Sequence, residues 1–327
     1  MINARKELRE GQEVIWKTEG KRKEFEGRIG DLDFEKVFLT GCGSSYKVSI
    51  MVSSEMKDSG LEAEAIEASE IIFSSQNIDE DSLVIGFSQS GETSETAKAL
   101  EKANELGAET LGVLNTEGST IEDIADESIF TPAGKEDSVL ATKSVDSALR
   151  AGLILRDIFA GEETEKISLG ESLDTDISEI IRVLKDMEKA YCLGIGSFKG
   201  LAGEAATKLG EGPLIHANYM SSLEFSHGPK SHAKNLPVIV FALQPELEST
   251  YREFLQELGD SGAETIVFSP ESIDYSEESD IEISVSEGLF PALKTVQRLA
   301  TETAVEKGLD PDNPPNLSKH VEKENLD

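Results

Sequence analysis

The chain has 327 residues, 64 of them acidic and 31 basic, and a net charge of −33. That charge repels a phosphate backbone and argues against nucleic acid as a partner. No apolar run approaches the roughly 20 residues that span a bilayer, so no membrane partner is expected. The length allows two domains of about 150 residues, and a 38% apolar share can fill their cores. So dense a carboxylate surface fits either a salt-loving source or a plain acidic cytosolic protein. The segment before Arg28 is charged throughout and has no apolar h-region, so a signal peptide is not expected and the location is read as cytoplasmic. Cys42 and Cys192 lie far apart beside strand-like runs, as reduced thiols do.

In chain order, residues 1–30 read as an amphipathic helical arm with Ile15, Trp16 and Phe25 buried. Lys36 to Thr40 is a strand running into the loop Gly41-Cys42-Gly43-Ser44-Ser45-Tyr46, and a helix follows to about Lys57. Glu62 to Glu67 is a weaker strand. Leu83 to Phe87 has the length and β-branched content of a buried strand, and Glu95 to Leu106 is a helix with an apolar stripe. Glu109 to Leu114 and Glu127 to Phe130 are further strands, and Thr142 to Phe159 is a helix. Strands alternating with helices mean βαβ units and parallel sheets. The polar stretch from Gly161 to about residue 171 is a linker, which gives domains of 31–165 and 172–327 behind the arm. Leu173 to Lys189 reads as one helix with a stripe through Ile177, Ile180, Ile181, Leu184 and Met187.

The second half repeats the first. Gly194-Ile195-Gly196-Ser197 echoes Gly41-Cys42-Gly43-Ser44, and Gly262-Ala263-Glu264-Thr265 echoes Gly107-Ala108-Glu109-Thr110. Pro237 to Leu243 echoes the strand before Ser88. An α/β domain has been duplicated.

Between the strand ending at Phe87 and the next helix stands Ser88-Gln89-Ser90-Gly91-Glu92-Thr93. Free N–H groups and the positive end of a helix dipole converge at such a junction, and the hydroxyls add donors suited to phosphate oxygens. The second copy has Gln244-Pro245-Glu246-Leu247 there instead, so one anion site per chain is expected. A dinucleotide fingerprint is incomplete, because its third glycine would fall on Tyr46. Glu204, Lys208 and Glu211 share one helix face at i, i+4 and i+7, and solvent-facing ion pairs are the plain expectation. His227 precedes a Gly-Pro turn and is placed on a loop. His216, His227 and His232 contain no tight pair, so no metal is expected.

Together these motifs resemble the sugar isomerase (SIS) family. The likeness is to the two-SIS isomerase half of glucosamine-6-phosphate synthase and to stand-alone relatives, the archaeal glucosamine-6-phosphate deaminases and AgaS-like ketosamine isomerases. It takes in nearly the whole chain, down to Pro314-Pro315-Asn316-Leu317-Ser318-Lys319. The resemblance implies two tandem SIS domains, each a three-layer αβα, flavodoxin-like parallel sheet between helices. It implies that Ser44, Ser45, Ser88, Gln89, Ser90 and Thr93 hold a sugar phosphate. Glu211 becomes the base that moves a proton between C1 and C2. His227 opens the ring from a partner subunit, Lys319 in a C-terminal active-site tail meets the open-chain carbonyl, and Glu204 with Lys208 orients the others. A homodimer with shared active sites follows, with no metal or organic cofactor.

A carboxylate whose acidity desolvation moves towards neutrality suits a 1,2 proton shift, and a histidine suits ring opening near pH 7. Two departures matter. The synthases begin with a glutamine-hydrolysing domain and a catalytic cysteine, whereas both cysteines here lie within the SIS repeats. The synthases also place Ser before the Thr-Lys of this chain's Ala141-Thr142-Lys143. The expected reaction is therefore deamination or isomerisation of an amino-sugar phosphate, glucosamine 6-phosphate or similar to fructose 6-phosphate plus ammonia. A sugar-phosphate–amino acid deglycase and a non-catalytic sugar-phosphate sensor are the alternatives.

Overall fold

The computed structural model describes residues 2–74, 77–164, 167, 169 and 173–317. They fall into two compact units. The N-terminal unit groups the described residues of 9–137 and 141–165, and the C-terminal unit those of 1–8, 138–140 and 166–317.

The elements of the first half are α1 (Asn3–Glu19), α2 (Arg22–Ile29), β1 (Lys36–Gly41), α3 (Ser44–Asp58), β2 (Ala63–Ala65), α4 (Ala68–Ser74), β3 (Ser82–Ser88), α5 (Ser94–Glu105), β4 (Glu109–Leu114), α6 (Thr120–Ile124), β5 (Glu127–Phe130) and α7 (Lys143–Phe159). The strands form one parallel sheet in the order β2-β1-β3-β4-β5. Its central strand β3 is buried along its whole length, as a sheet covered on both faces requires. Phe38, Val84 and Leu114 pack under α4, α5 and α6. On the opposite face Phe87 lies against the α3–α7 pair, where a Cβ on Gly152 would come within 3.3 Å of its ring and 2.4 Å of Val52.

The second half contains α8 (Ser178–Leu184), β6 (Lys189–Gly194), α9 (Ser197–Glu211), β7 (His216–Ser221), α10 (Ser222–Phe225), β8 (Pro237–Phe241), α11 (Glu248–Ser261), β9 (Glu264–Pro270), β10 (Ile281–Val285) and α12 (Leu289–Glu306). The sheet order β10-β9-β8-β6-β7, read from β7, is that of the first sheet. Leu193, Val238, Val240 and Val267 pack against α11 residues Tyr251, Phe254, Leu255 and Leu258.

The duplication extends to single hydrogen bonds. The Thr110 N–H and hydroxyl both donate to Asp126 Oδ2, at 3.0 and 2.9 Å, and Asp126 N–H donates back to Thr110 Oγ1 at 2.9 Å. Thr265 and Asp280 make the same three bonds at 2.7, 2.9 and 3.0 Å. Each pair ties the start of the fourth strand of its sheet to the start of the fifth.

Three expectations need correction. Trp16 is 47% exposed, while Val14, Ile15 and Thr18 are buried. At 100° per residue, position 16 turns away from the stripe that 14 and 18 define. The helix expected over 173–189 is helical only at Ser178–Leu184. Its start is set by Asp176, whose carboxylate accepts the Ser178 N–H at 2.9 Å, and Lys189 is taken by strand pairing with His216. Of the stripe, Ile177, Ile180 and Leu184 are buried and Ile181 and Met187 half-buried. The strand expected over 62–67 covers only Ala63–Ala65, and α4 follows it. Both cysteines are free thiols, and burial pushes the pKa of the Cys192 thiol far upward.

Thr265→Val removes a buried hydroxyl that both donates to and accepts from Asp280. It should lower the unfolding free energy by about 1–3 kcal/mol, read from the urea midpoint with the slope unchanged.

Candidate active site

In a parallel sheet ordered 2-1-3-4-5, the loops leaving β1 and β3 part to opposite faces, and a crevice opens outside their carboxyl ends. In the N-terminal unit these are the loops Cys42–Ser45 and Gln89–Thr93. Gly41 is forced by space, since a Cβ there would lie 2.8 Å from Ser45 Cβ. Gly43 follows at φ +57° and leads directly into α3. Ser44 and Ser45 therefore occupy the first turn of α3, where backbone N–H groups lack helical partners.

The second loop is tied down on several sides. Ser88 is buried, and its hydroxyl accepts the Gly91 N–H at 3.0 Å and lies 3.0 Å from the Thr93 hydroxyl. The Glu92 N–H donates to Ser90 Oγ at 3.1 Å. The Gln89 carbonyl accepts from the Asn115 N–H and the Thr116 hydroxyl at 3.3 and 3.2 Å. Gly91 has φ +72° and abuts Ser119, whose Oγ would be 2.0 Å from an added Cβ. Glu92 is the one carboxylate in this loop. Its carboxylate is taken up by the N–H and hydroxyl of Thr120, at 3.0 and 2.6 Å.

Upstream of α7, Glu136 accepts from the Thr142 and Ser144 N–H groups at 2.9 and 3.4 Å and from the Ser144 hydroxyl at 2.6 Å. Ala141 is half-buried beside Thr142.

In the C-terminal unit α9 carries Glu204, Lys208 and Glu211. The expected solvent-facing ion pairs are overturned, because Glu204 and Lys208 have no exposed side-chain surface and Glu211 keeps 24%. Lys208 Nζ lies 3.4 Å from Glu204 Oε1 and 3.0 Å from Glu211 Oε2. One ammonium thus serves two carboxylates. Glu211 is the last residue of α9, before Gly212 and Pro213. A carboxylate at that end of a helix is disfavoured by the dipole, and Lys208 offsets this. Of the three, Glu211 alone can meet a ligand.

His227 follows α10, with Phe225 buried and the His227 N–H bonded to the Glu224 carbonyl at 3.0 Å. Its side chain is exposed. The loop is held from α11, where Glu257 accepts the Ser226 hydroxyl at 2.8 Å and pairs with Lys230. Lys230, then Ser226, hold the Glu257 carboxyl below its usual range. His216 and His232 are exposed on β7 and on the turn Pro229–His232. Among the described residues no three His, Cys, Asp or Glu side chains gather into a metal-holding group, and no helix is long and apolar enough to cross a membrane. Lys319 lies outside the described residues.

Glu257, Thr120 and Glu136 were not singled out from the sequence. Glu257 lies 31 residues from Ser226 and Thr120 lies 28 from Glu92, so no local pattern links them. Glu136 is closer, 8 residues before Ser144, and an acidic residue just upstream of a helix start was a usable signal.

Two copies of one parallel sheet with helices on both faces, and a hydroxyl-rich loop at the switch point of the first, define a tandem αβα protein of SIS type. Residues 33–155 match the SIS domain model. Glutamine–fructose-6-phosphate aminotransferase (isomerizing) of Pyrobaculum aerophilum is 32% identical over 307 residues, which covers 87% of this chain and 51% of that protein. The chain spans about half the length of the curated relatives it matches. The C-terminal domain of glucosamine-fructose-6-phosphate aminotransferase from Francisella tularensis matches with a TM-score of 0.82 at 24% identity, covering 95% of this chain and 98% of that one. Glucosamine-6-phosphate deaminase from Thermotoga maritima matches with a TM-score of 0.74 at 25% identity, over 95% and 99%. The chain belongs to the SIS family and is homologous to the isomerase half of those aminotransferases.

Lys208→Met leaves two neighbouring carboxylates without their counter-ion, one of them fully buried. Guanidinium unfolding should show a loss of about 3–5 kcal/mol, far more than an exposed helix pair would give.

Proposed function

We propose that the protein is a phosphosugar isomerase that deaminates an amino-sugar phosphate, converting glucosamine 6-phosphate or a close relative and water into fructose 6-phosphate and ammonia. The observation that carries this is the α9 cluster, in which a partly exposed carboxylate is held by a fully buried lysine. The likeness to the Thermotoga maritima deaminase, over nearly all of both chains, supports deamination in particular.

Residues 31–165 act as the sugar-phosphate-binding domain. Ser44, Ser45, Ser88, Gln89, Ser90 and Thr93 hold the phosphate through hydroxyls and helix-end amides. Residues 172–327 supply the acid–base groups and the C-terminal tail, and the arm of 1–30 precedes both. His227 takes the proton of the C1 hydroxyl and delivers one to the ring oxygen, which opens the sugar. Glu211 then removes the C2 proton of the amino aldehyde and returns it to C1. Meanwhile the carbonyl oxygen gains a proton as the nitrogen loses one, leaving an imine at C2. Water adds there, ammonia departs, and the ketose phosphate remains. Lys208 pairs with Glu211 and orients it, with Glu204 behind it. Lys319 meets the open-chain carbonyl. By family resemblance the protein works in the cytoplasm as a homodimer with shared active sites, and its charge suits a salt-rich setting.

Ammonia release should be seen from glucosamine 6-phosphate or from galactosamine 6-phosphate, assayed at low and at multimolar salt. Release from neither, with calorimetry still detecting tight binding, would overturn the deaminase assignment. Glu211→Gln should abolish release, with a loss on the order of 100-fold or more, and leave the dissociation constant for the sugar phosphate nearly unchanged. Loss of binding in a folded Glu211→Gln protein would remove Glu211 from the role of base.

A further inference from the structure

We infer that Glu257, on α11, is the positioning residue for His227, clamping the loop that carries the imidazole so that it can open the sugar ring. The inference rests on the ring-opening role given to His227 above.

Both oxygens of the Glu257 carboxylate are engaged, one by the Ser226 hydroxyl at 2.8 Å and the other by the Lys230 ammonium. These partners stand one residue before His227 and three after it. A single carboxylate therefore grips the loop on both sides of the histidine. An ordinary surface ion pair fixes one long side chain and contributes little. This carboxylate instead closes a five-residue stretch on itself.

The anchor is rigid. Phe254, Leu255 and Leu258, around Glu257 on α11, are buried in the core of the C-terminal unit. The stretch it holds is not rigid by its own sequence, because Gly228 sits at φ +157° with open space around its Cα. Phe225 and Ala233, both fully buried, fix the chain just outside the clamp. The His227 N–H is already committed to the Glu224 carbonyl. What stays free is the imidazole itself, on a backbone held from three sides. A group that must pass a proton between two oxygens of one ring needs that placement.

The test separates ring opening from the later proton shift. Fructose 6-phosphate must open before its C1 proton can exchange. 5-Deoxyfructose 6-phosphate has no O5 to close a furanose, and the phosphate on O6 bars a pyranose, so it is always open. Exchange of the C1 proton in D2O, followed by NMR with ammonium present, reads Glu211 chemistry on both sugars. Glu257→Ala should slow exchange of fructose 6-phosphate by roughly tenfold, in kcat rather than KM, and leave the 5-deoxy sugar at the wild-type rate. Ser226→Ala/Lys230→Met, which removes the loop side of the clamp and leaves α11 intact, should do the same. His227→Asn should show the same selectivity with a larger loss, about 100-fold.

If His227→Asn is selective and neither clamp variant is, Glu257 has no positioning role. If the clamp variants slow both sugars alike, the clamp merely supports the fold and the inference fails. If His227→Asn itself slows both sugars alike, or neither, His227 does not open the ring, and the assignment of Glu257 falls with it.

Discussion

Each unit depends on one tight passage, where the first strand of its sheet ends and the next helix begins. A Cβ on Gly194 would lie 2.2 Å from the Phe198 carbonyl oxygen, and one on Gly41 would lie 2.8 Å from Ser45 Cβ. Two residues later Gly43 and Gly196 sit at φ +57° and +59°, with ψ of −126° and −131°. Only glycine accepts both the crowding and that backbone conformation at low cost. The passage sets the angle at which α3 and α9 leave their sheets. In the first copy this brings the helix start to the switch point beside Ser88. In the second it sets the face on which Glu204, Lys208 and Glu211 fall.

From this shared start the copies divide the work. The first keeps a loop of small polar residues, with its hydroxyls and amides left close to the crevice. The second has a short turn without hydroxyls at the same position. Gln244, in place of Ser88 and its neighbours, accepts the hydroxyl of the buried Tyr251 at 3.0 Å, and Pro245–Leu247 form a single tight turn. Without a hydroxyl loop at that position, the second copy carries its polar chemistry on the helix after its first strand, α9. There Gly200, Ala202, Gly203, Ala205 and Ala206 leave room for neighbouring elements to close over the helix. That closure strips water from Lys208 and Glu204. Gly212 shows how close it is, since a Cβ there would meet the Ala300 carbonyl of α12 at 3.3 Å.

The sequence shows local periodicity and spacing well and tertiary coverage poorly. The strand at 83–87, the helix at 95–106 and the repeat of Gly-Ala-Glu-Thr are all set by neighbours along the chain, and each lies within a residue or two of the structure. The spacing of Glu204, Lys208 and Glu211 was legible as a common face. Its burial was not, because the covering helix α12 begins 78 residues after Glu211. The helix expected over 173–189 failed for a related reason. Its apolar stripe is real, but pairing with β7 takes its last residue into a strand. Trp16 is expected inside an amphipathic arm, but the phase of its buried neighbours points it outward. The clamp at Glu257 and the tie between Glu92 and Thr120 join segments about 30 residues apart, and nothing in either segment announces its partner.

A net charge of −33 sets a further condition on any site for an anion. The global field repels the ligand, so attraction has to be local, and Lys or Arg side chains at the surface would be neutralised by the carboxylates around them. Backbone amides and hydroxyls avoid this, because they carry no net charge for a neighbour to cancel and need no counter-ion. Glu92, the one carboxylate in the loop, is drawn off by Thr120 and thereby serves as a brace. Salt sharpens the distinction. At about 1 M the screening length shrinks to roughly 3 Å, which erases interactions between exposed charges. Pairs such as Lys17 with Glu13, both more than half exposed, then contribute nothing. The Lys208 cluster is closed to solvent on two of its three members, and the loop's hydrogen bonds are short-ranged. The interactions that shape the site are therefore those that concentrated salt leaves intact.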